Sequence, residues 1–443
     1  MSAVRADNDA VAAPAAAARP LRILLITSDK YPPFRPAARV LFGKELGRRG
    51  HSVDWLIQAE RESDYHGDTD FGSGRAWVAR TDDGTSRLRR LHKYWLDLRN
   101  DLRMFRLLRT GQYDIVQVKD KYLAALLAII AARRAGARLC YWLAYPHAEA
   151  SLFEASEGIA RYPALYRIRG LFFRFALYRV ILRCVDHAFV QSEQMRRDIA
   201  AHGIDPALMT PVPGSLALAE IPYQAGSDVA ASSEDAADHA TDDTTPTPRR
   251  IVYLGTLIRT RRLDFLVRVH ARVLRRHPAA RLVFIGRGEM PEDMALLLEE
   301  ARRCGIEHAL EFTGQLPISR AWEHVRRAEI GVSPYFPMPI LNSTSPTKLI
   351  EYMAMAKPVV GNDHPEQSLV IEQAGAGYCT PWDEDAFAAA LCRLLDDPAA
   401  AATMGRRGRA WVVEHRTNSV MATLIEQRYL ALPARPQPAG ATR

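Results

Sequence analysis

At 443 residues the chain is longer than one ordinary domain, so two are expected. Its 48% hydrophobic and 25% charged content fits a globular protein, and no run of roughly 20 apolar residues offers a bilayer span. The net charge of +8 and pI of about 9.3 favour anionic partners: phosphorylated substrates, nucleic acid or an acidic membrane surface.

Residues 1–20 are Ala-rich, with Asp7, Asn8 and Asp9 interrupting the start, and read as a disordered lead-in without the basic–apolar order of a signal peptide. Leu21–Thr27 is an apolar run suited to a central parallel strand. The turn Lys30–Arg35 follows, then a helical pattern through Ala38, Leu41, Phe42 and Leu46, then the strand Ser52–Ile57. The Pro33 and Arg35 loop stands at the carboxyl end of the first strand, where open α/β sheets bind ligands. Residues 60–90 show no firm period.

Leu91–Leu108 reads as one helix, Tyr113–Val118 as a strand, Tyr122–Ala135 as a helix and Ala137–Leu143 as a strand. The loop Ala144–Glu149 carries His147 and Glu149 just past that strand. Arg161–Arg183 holds six Arg and no acid, interleaved with Phe, Leu, Ile and Tyr. It is expected to be a basic amphipathic helix, lying either on an anionic bilayer or with one face in the core. Val185–Val190 is the next strand, with a helix following to about His202.

Gln224–Pro248 has six acidic residues and no Lys or Arg, and is expected to be a flexible insertion between domains. The second domain opens with the strand Arg250–Leu254 and Gly255. Arg259, Arg261 and Arg262 crowd the turn before the helix Leu263–Arg276; guanidinium groups there suit phosphate. Ala280–Gly286 is a strand running into Gly286 and Gly288. That glycine pair permits a tight turn but lacks the full dinucleotide fingerprint, so NAD is not inferred. A helix over Pro291–Cys304, a strand over Ala309–Thr313, a helix over Ile318–Arg327 and a strand over Ile330–Val332 complete the alternation.

Ser333–Gly361 is the stretch around which these elements converge. Ser345 is the expected N-cap, with Pro346 in the first turn, of a helix over roughly Thr347–Ala356. A helix start offers backbone N–H groups to an anion, and Lys348 adds a positive charge. Glu351 stands three residues on, able to accept from a sugar hydroxyl. A nucleotide-sugar diphosphate suits that combination, whereas an ordinary surface Glu–Lys pair is the plain alternative. Beyond it, Gly375–Cys379 reads as a turn, Phe387–Leu395 as an amphipathic helix, and Ala400–Tyr429 as helical with a break near His415–Asn418. The tail from Pro433 is Pro-rich.

Over about residues 20–430 the chain resembles the retaining GT-B glycosyltransferases of glycosyltransferase family 4. The motifs carrying the resemblance are Tyr253–Asp264 with Ala280–Gly288, then Thr347–Val360, supported by Pro32-Pro33 and Gly50-His51. It implies an α/β GT-B fold of two Rossmann-like domains facing across a cleft, 21–213 for the acceptor and 250–415 for the nucleotide sugar. A junction at 214–249 and a helix over 416–432 returning to the first domain complete the division.

The implied activity is transfer of a sugar from a nucleoside-diphosphate sugar to a hydroxyl of a glycan or lipid-linked acceptor, with retained configuration, in surface-polysaccharide assembly. A nucleotide-sugar epimerase, or a non-catalytic protein with a degenerate donor site, are the alternatives. By resemblance Glu351 holds the nucleotide ribose, Arg261 contacts the diphosphate, Gly286 and Gly288 line the nucleotide side, and His147 lies near the donor sugar. The donor set is thus Gly255, Arg261, Gly286, Gly288, Ser345, Lys348 and Glu351, with His147, Arg261 and Lys348 in catalysis. Pro33, Arg35, His147 and Glu149 stand on the acceptor side. No cofactor, metal or nucleic acid is expected. The location is expected to be cytoplasmic, on the inner membrane face where the Arg161–Arg183 helix attaches. The sequence departs from the family at Ser343, where a Glu is usual, at Thr256, where an Arg is common, and at Pro36-Ala37, where two glycines are usual.

Overall fold

A computed structural model describes residues 19–33, 37–84, 86–158, 160–223 and 249–433. Most of the lead-in, Arg35, Pro36, the acidic insertion at 224–248 and the end of the tail lie outside the described residues.

The first sheet has eight strands: β1 (Arg22–Tyr31), β2 (Ser52–Ala59), β3 (Thr69–Phe71), β4 (Gly74–Ala79), β5 (Ile115–Lys119), β6 (Arg138–Leu143), β7 (His187–Val190) and β8 (Met209–Pro211). Their order is β3-β4-β2-β1-β5-β6-β7-β8, parallel throughout except for β3 against β4. The second sheet has six parallel strands: β9 (Arg250–Leu254), β10 (Arg281–Ile285), β11 (Leu310–Phe312), β12 (Ile330–Ser333), β13 (Val359–Asn362) and β14 (Gly377–Thr380). Their order is β11-β10-β9-β12-β13-β14. Both sheets turn back on their first strand, so each has a switch point where flanking loops part and a ligand can enter.

Buried side chains cover both faces of both sheets, which is why the strands read as continuous apolar runs. The Tyr122–Ala135 helix packs one face of the first sheet. The opposite face is closed partly by the helix Asn418–Ala431, which buries Met421, Ile425 and Tyr429 there. Tyr429 donates to Gln117 Oε1 at 2.6 Å and meets Phe189 edge-on at 5.6 Å. The chain's last described helix thus completes the core of its first domain.

Four expectations need correction. β1 runs to Tyr31 because the polar Asp29 and Lys30 find partners inside the sheet, with a register shift between Ile26 and Lys30. Residues 60–90 contain β3 and β4; the short β3 and the half-buried faces blur their alternation. The single helix expected over Leu91–Leu108 is two, Arg87–Asp101 and Arg103–Thr110, the first capped by the Ser86 hydroxyl. Gly377–Thr380, expected in a turn, is β14, paired along β13.

The Arg161–Arg183 segment divides as well. Pro163–Phe175 is an α-helix in which only Gly170 is buried. A π-helical segment, Ala176–Ile181, follows with four buried residues, and then Leu182–Cys184. Its core-facing part and its exposed part are therefore successive along the chain rather than opposite faces of one helix.

Candidate functional site

The carboxyl ends of β9, β10 and β12 feed the loops that carry most of the predicted donor residues. Gly255 follows β9 with φ at +150° and Gly286 follows β10 with φ at +141°. A Cβ on Gly286 would lie 2.0 Å from the Gly255 carbonyl oxygen, and a Cβ on Gly255 would lie 2.6 Å from Lys348 Cε. The missing side chains therefore let two loops touch and leave a slot for the Lys348 stem. Lys348 Nζ lies 5.3 Å from the Tyr253 ring centroid and 5.7 Å from that of Tyr335. Burial, and then the nearby Arg261 charge, pull the Lys348 pKa down to about 7, against a raising contribution from Glu351. Burial pushes the Glu351 carboxyl up to about 7, with Lys348 opposing.

The helix Thr347–Ala354 supplies both groups, and no side chain caps its start. This corrects the cap assignment: Pro346 occupies the N-cap position, and Ser345 Oγ accepts from the Gly214 N–H at 3.0 Å. Ser345 thereby joins the two domains.

Of the three crowded arginines, Arg261 alone is placed by the Lys348 pocket. Its Nε donates to Thr256 Oγ1 at 2.9 Å. Thr256, the departure from the usual Arg, thus anchors the arginine five residues on. Arg262 is taken by Asp264, at 3.3 Å, and stands over Phe336. The Arg259 N–H donates to Asp293 Oδ1 at 2.9 Å, while Asp293 Oδ2 accepts from Glu289 and Met290, each at 2.9 Å. Asp293 therefore ties the Gly255–Arg262 loop to the Gly286–Met290 loop, and a Cβ on Gly288 would collide with it at 2.5 Å. Asp293 was not among the residues singled out from the sequence; its place two residues after Pro291, at a helix start, was the available signal.

Ser343 is 5% exposed, and its carbonyl accepts from Ser192 Oγ at 2.7 Å. The residue standing where a Glu is usual is built into the domain junction. His364 Nε2 holds the Leu341 carbonyl at 2.7 Å, and Asn362 holds the Tyr335 backbone through both its amide groups, at 2.6 and 2.8 Å. The loop 334–345 is thus pinned from both sides.

On the first domain, His147 opens the helix His147–Ser156 rather than lying in a loop, and this helix packs against Pro339–Leu341 of the second domain. His147 is half-buried, its ring edge-on to Tyr145 at 5.1 Å. Glu149 Oε1 accepts from Tyr178 at 2.7 Å, and its Oε2 is buried without a hydrogen bond. Pro33 is buried. A group that sequence reading missed lies at the ends of β1 and β5. Lys119, 2% exposed, pairs with Asp29 at 2.9 Å and Asp120 at 3.4 Å, and Thr27 donates to Asp29 at 2.8 Å. Asp120, held at φ +55°, accepts from the Ala144 N–H at 2.8 Å and so fixes the loop leading to His147. Among the described residues no three His, Cys, Asp or Glu side chains gather as metal ligands.

Two doubly wound domains of this topology define the GT-B fold. The chain carries the domain architecture of glycosyltransferase family 4-like proteins: residues 41–214 match the glycosyl transferase 4-like domain and residues 248–397 match glycosyl transferases group 1. It is 27% identical over 188 residues to glycogen synthase of Mycobacterium tuberculosis, an alignment covering 42% of this chain and 43% of the relative. It spans less than half the length of that relative. Among solved structures, sucrose-phosphate synthase of Thermosynechococcus elongatus superposes with a TM-score of 0.66 at 18% identity, covering 92% of this chain and 98% of the other. HepE of Anabaena, in complex with UDP, gives 0.63 at 14% identity, covering 92% and 99%. At these identities the structural likeness speaks for the fold.

Proposed function

We propose that this protein transfers a sugar from a nucleoside-diphosphate sugar to a hydroxyl of a glycan or lipid-linked acceptor, with retained configuration. The observation carrying this reading is Lys348, buried beside Arg261 at an uncapped helix start and reached through the slot that Gly255 leaves open. Two cations and a helix N-terminus are crowded at one point with one carboxylate to balance them, which costs free energy until an anion arrives. A diphosphate supplies that anion. The UDP in the Anabaena structure supports the same ligand class.

As the bond to the sugar breaks, charge grows on the departing diphosphate, and Lys348 and Arg261 are fixed where that charge develops. Glu351, one turn from Lys348, accepts from the ribose hydroxyls. The leaving phosphate takes the acceptor proton on the same face of the sugar, which accounts for retention. The deciding experiment is a thermal-shift screen of UDP-, GDP-, ADP- and dTDP-sugars, followed by nucleotide-release assays. Stabilisation by one nucleotide class, lost in Lys348→Ala, supports the reading; stabilisation by none overturns it.

Peripheral attachment to the inner face of the membrane belongs to the same proposal. Leu165, Ile168, Phe172 and Phe175 are exposed on the Pro163–Phe175 helix, interleaved with Arg167 and Arg174. No helix among the described residues is long and apolar enough to cross a membrane. Apolar side chains with guanidinium groups beside them suit the boundary of an anionic bilayer. Sedimentation with anionic liposomes should fall sharply when Ile168 and Phe172 are replaced by Asp. Unchanged sedimentation rejects this attachment.

A further inference from the structure

The ladder between β12 and β13 stops at Ser333 and Gly361, and the next residue, Pro334, has no N–H with which to extend it. The side chain of Asn362 takes over. Its Oδ1 accepts from the Tyr335 N–H at 2.6 Å and its Nδ2 donates to the Tyr335 carbonyl at 2.8 Å, as a peptide group of a neighbouring strand would. Asn362 is 1% exposed and its own backbone pairs with Thr380 of β14, so the sheet fixes this amide. Two residues on, His364 donates from Nε2 to the Leu341 carbonyl at 2.7 Å, and its ring lies 5.0 Å from that of Tyr335. Phe336 meets Trp382 edge-on at 5.6 Å, and Trp382 stacks on Phe265 at 4.0 Å. Tyr335 is thus held through its backbone, its ring and its neighbour by the second domain.

Tyr335 in turn touches the two cations of the candidate site. Its ring centroid lies 5.7 Å from Lys348 Nζ, and its hydroxyl accepts a hydrogen bond from Arg261. Arg261 is therefore tied at two points, through Nε to Thr256 Oγ1 at 2.9 Å and to the Tyr335 hydroxyl. Burial raises the Tyr335 pKa above its ordinary value, with Arg261 opposing, so the phenol stays neutral. Neither anchor carries a charge. Both orient the guanidinium without neutralising it, and its remaining N–H groups are left for an anion. An arginine ordered before the ligand arrives spares the binding step that loss of side-chain freedom.

We infer that Tyr335 is a positioning residue for the diphosphate: anchored by Asn362, it presets the Arg261 guanidinium near Lys348 in the free protein. The inference rests on the proposed transferase reading, which supplies the diphosphate.

The test titrates the full chain with inorganic pyrophosphate, which carries the diphosphate charge without base or sugar. Tyr335→Phe keeps the ring by Lys348 and removes only the hydroxyl. It is expected to weaken pyrophosphate binding about two- to tenfold, with the circular dichroism of the parent. In an Arg261→Ala background the same substitution is expected to have no further effect, because the hydroxyl acts through the guanidinium. Asn362→Ala, which releases the Tyr335 backbone, should weaken binding more than Tyr335→Phe; where that variant fails to fold, Tyr335→Phe decides. Undiminished affinity in Tyr335→Phe overturns the inference. An equal loss in the Arg261→Ala background also overturns it, since the hydroxyl would then act without the arginine. If pyrophosphate does not bind the parent, the diphosphate reading falls and takes this inference with it. If the parent binds, Lys348→Ala loses binding and Tyr335→Phe keeps it, the transferase reading stands and this inference alone falls.

Discussion

Two buried lysines, Lys119 as the last residue of β5 and Lys348 in the first turn of the helix Thr347–Ala354, are treated in opposite ways. Lys119, in the first domain, sits between Asp29 and Asp120 with its charge compensated. Lys348, in the second, faces aromatic rings and lies near another cation, with Glu351 as its acidic neighbour. The first arrangement holds a loop in place through Asp120 and Ala144. The second stores an electrostatic deficit that a diphosphate can relieve. Burial of a lysine by itself therefore does not mark a binding site; the charge left around it does.

The comparison breaks most visibly in stability. Lys119→Met leaves two buried carboxylates without their cation and is expected to cost about 3–5 kcal/mol. Lys348→Met removes a charge the fold does not balance and is expected to leave stability unchanged or raised. Urea unfolding of both variants checks this, and equal losses would erase the distinction. Activity should reverse the ranking: Lys348→Met is expected to lower nucleotide-sugar turnover by about 10²–10³-fold, since one fixed transition-state donor is lost.

Proton linkage is the next largest effect. In the free protein Lys348 loses its proton from about pH 7 upward, and a diphosphate bound beside it is expected to restore that proton. Donor binding is therefore expected to take up a proton above pH 7 and to weaken as pH rises, by up to about tenfold per unit. Glu351 works in the other direction, since burial keeps it protonated up to about pH 7 and a donating hydroxyl favours the carboxylate. Below pH 7 binding should release a proton. Calorimetry in buffers of different ionisation enthalpy reads both branches, and Glu351→Gln should abolish the release alone. Absence of uptake at pH 8 would remove Lys348 from the diphosphate contact.

A smaller effect sharpens the role of Arg261. Thr256→Val removes one hydrogen bond, worth about 0.5–1.5 kcal/mol, and leaves Arg261 held on the Tyr335 side only. The donor KM is expected to rise about two- to tenfold with little change in kcat, and Thr256→Ser should restore it. An unaltered KM would mean that Arg261 is positioned by the ligand and not by Thr256.

Much of this was legible in the sequence because the determinants are local. Strands buried on both faces must be apolar throughout, so Arg250–Leu254 and Arg281–Ile285 announce themselves, and the glycines after them mark close backbone approach. Lys348 and Glu351 share a helix, and their spacing alone places them together. Weaker local signals failed: the polar end of β1, the short β3 and the strand β14 are held by partners that periodicity does not show.

What the sequence by itself determined, then, is the alternation of strand and helix, the loops that carry Gly255, Arg261 and Gly286, and the helix that carries Lys348 and Glu351, since backbone period and turn chemistry act over a few residues. Tertiary structure alone decided the charge state around each lysine. Lys119 meets Asp29 from 90 residues away, and Ser343 meets Ser192 from 151. It also paired Glu149 with Tyr178, 29 residues on. The reason is physical: compensation of a buried charge depends on which groups packing brings within a few ångströms, and sequence distance does not set that.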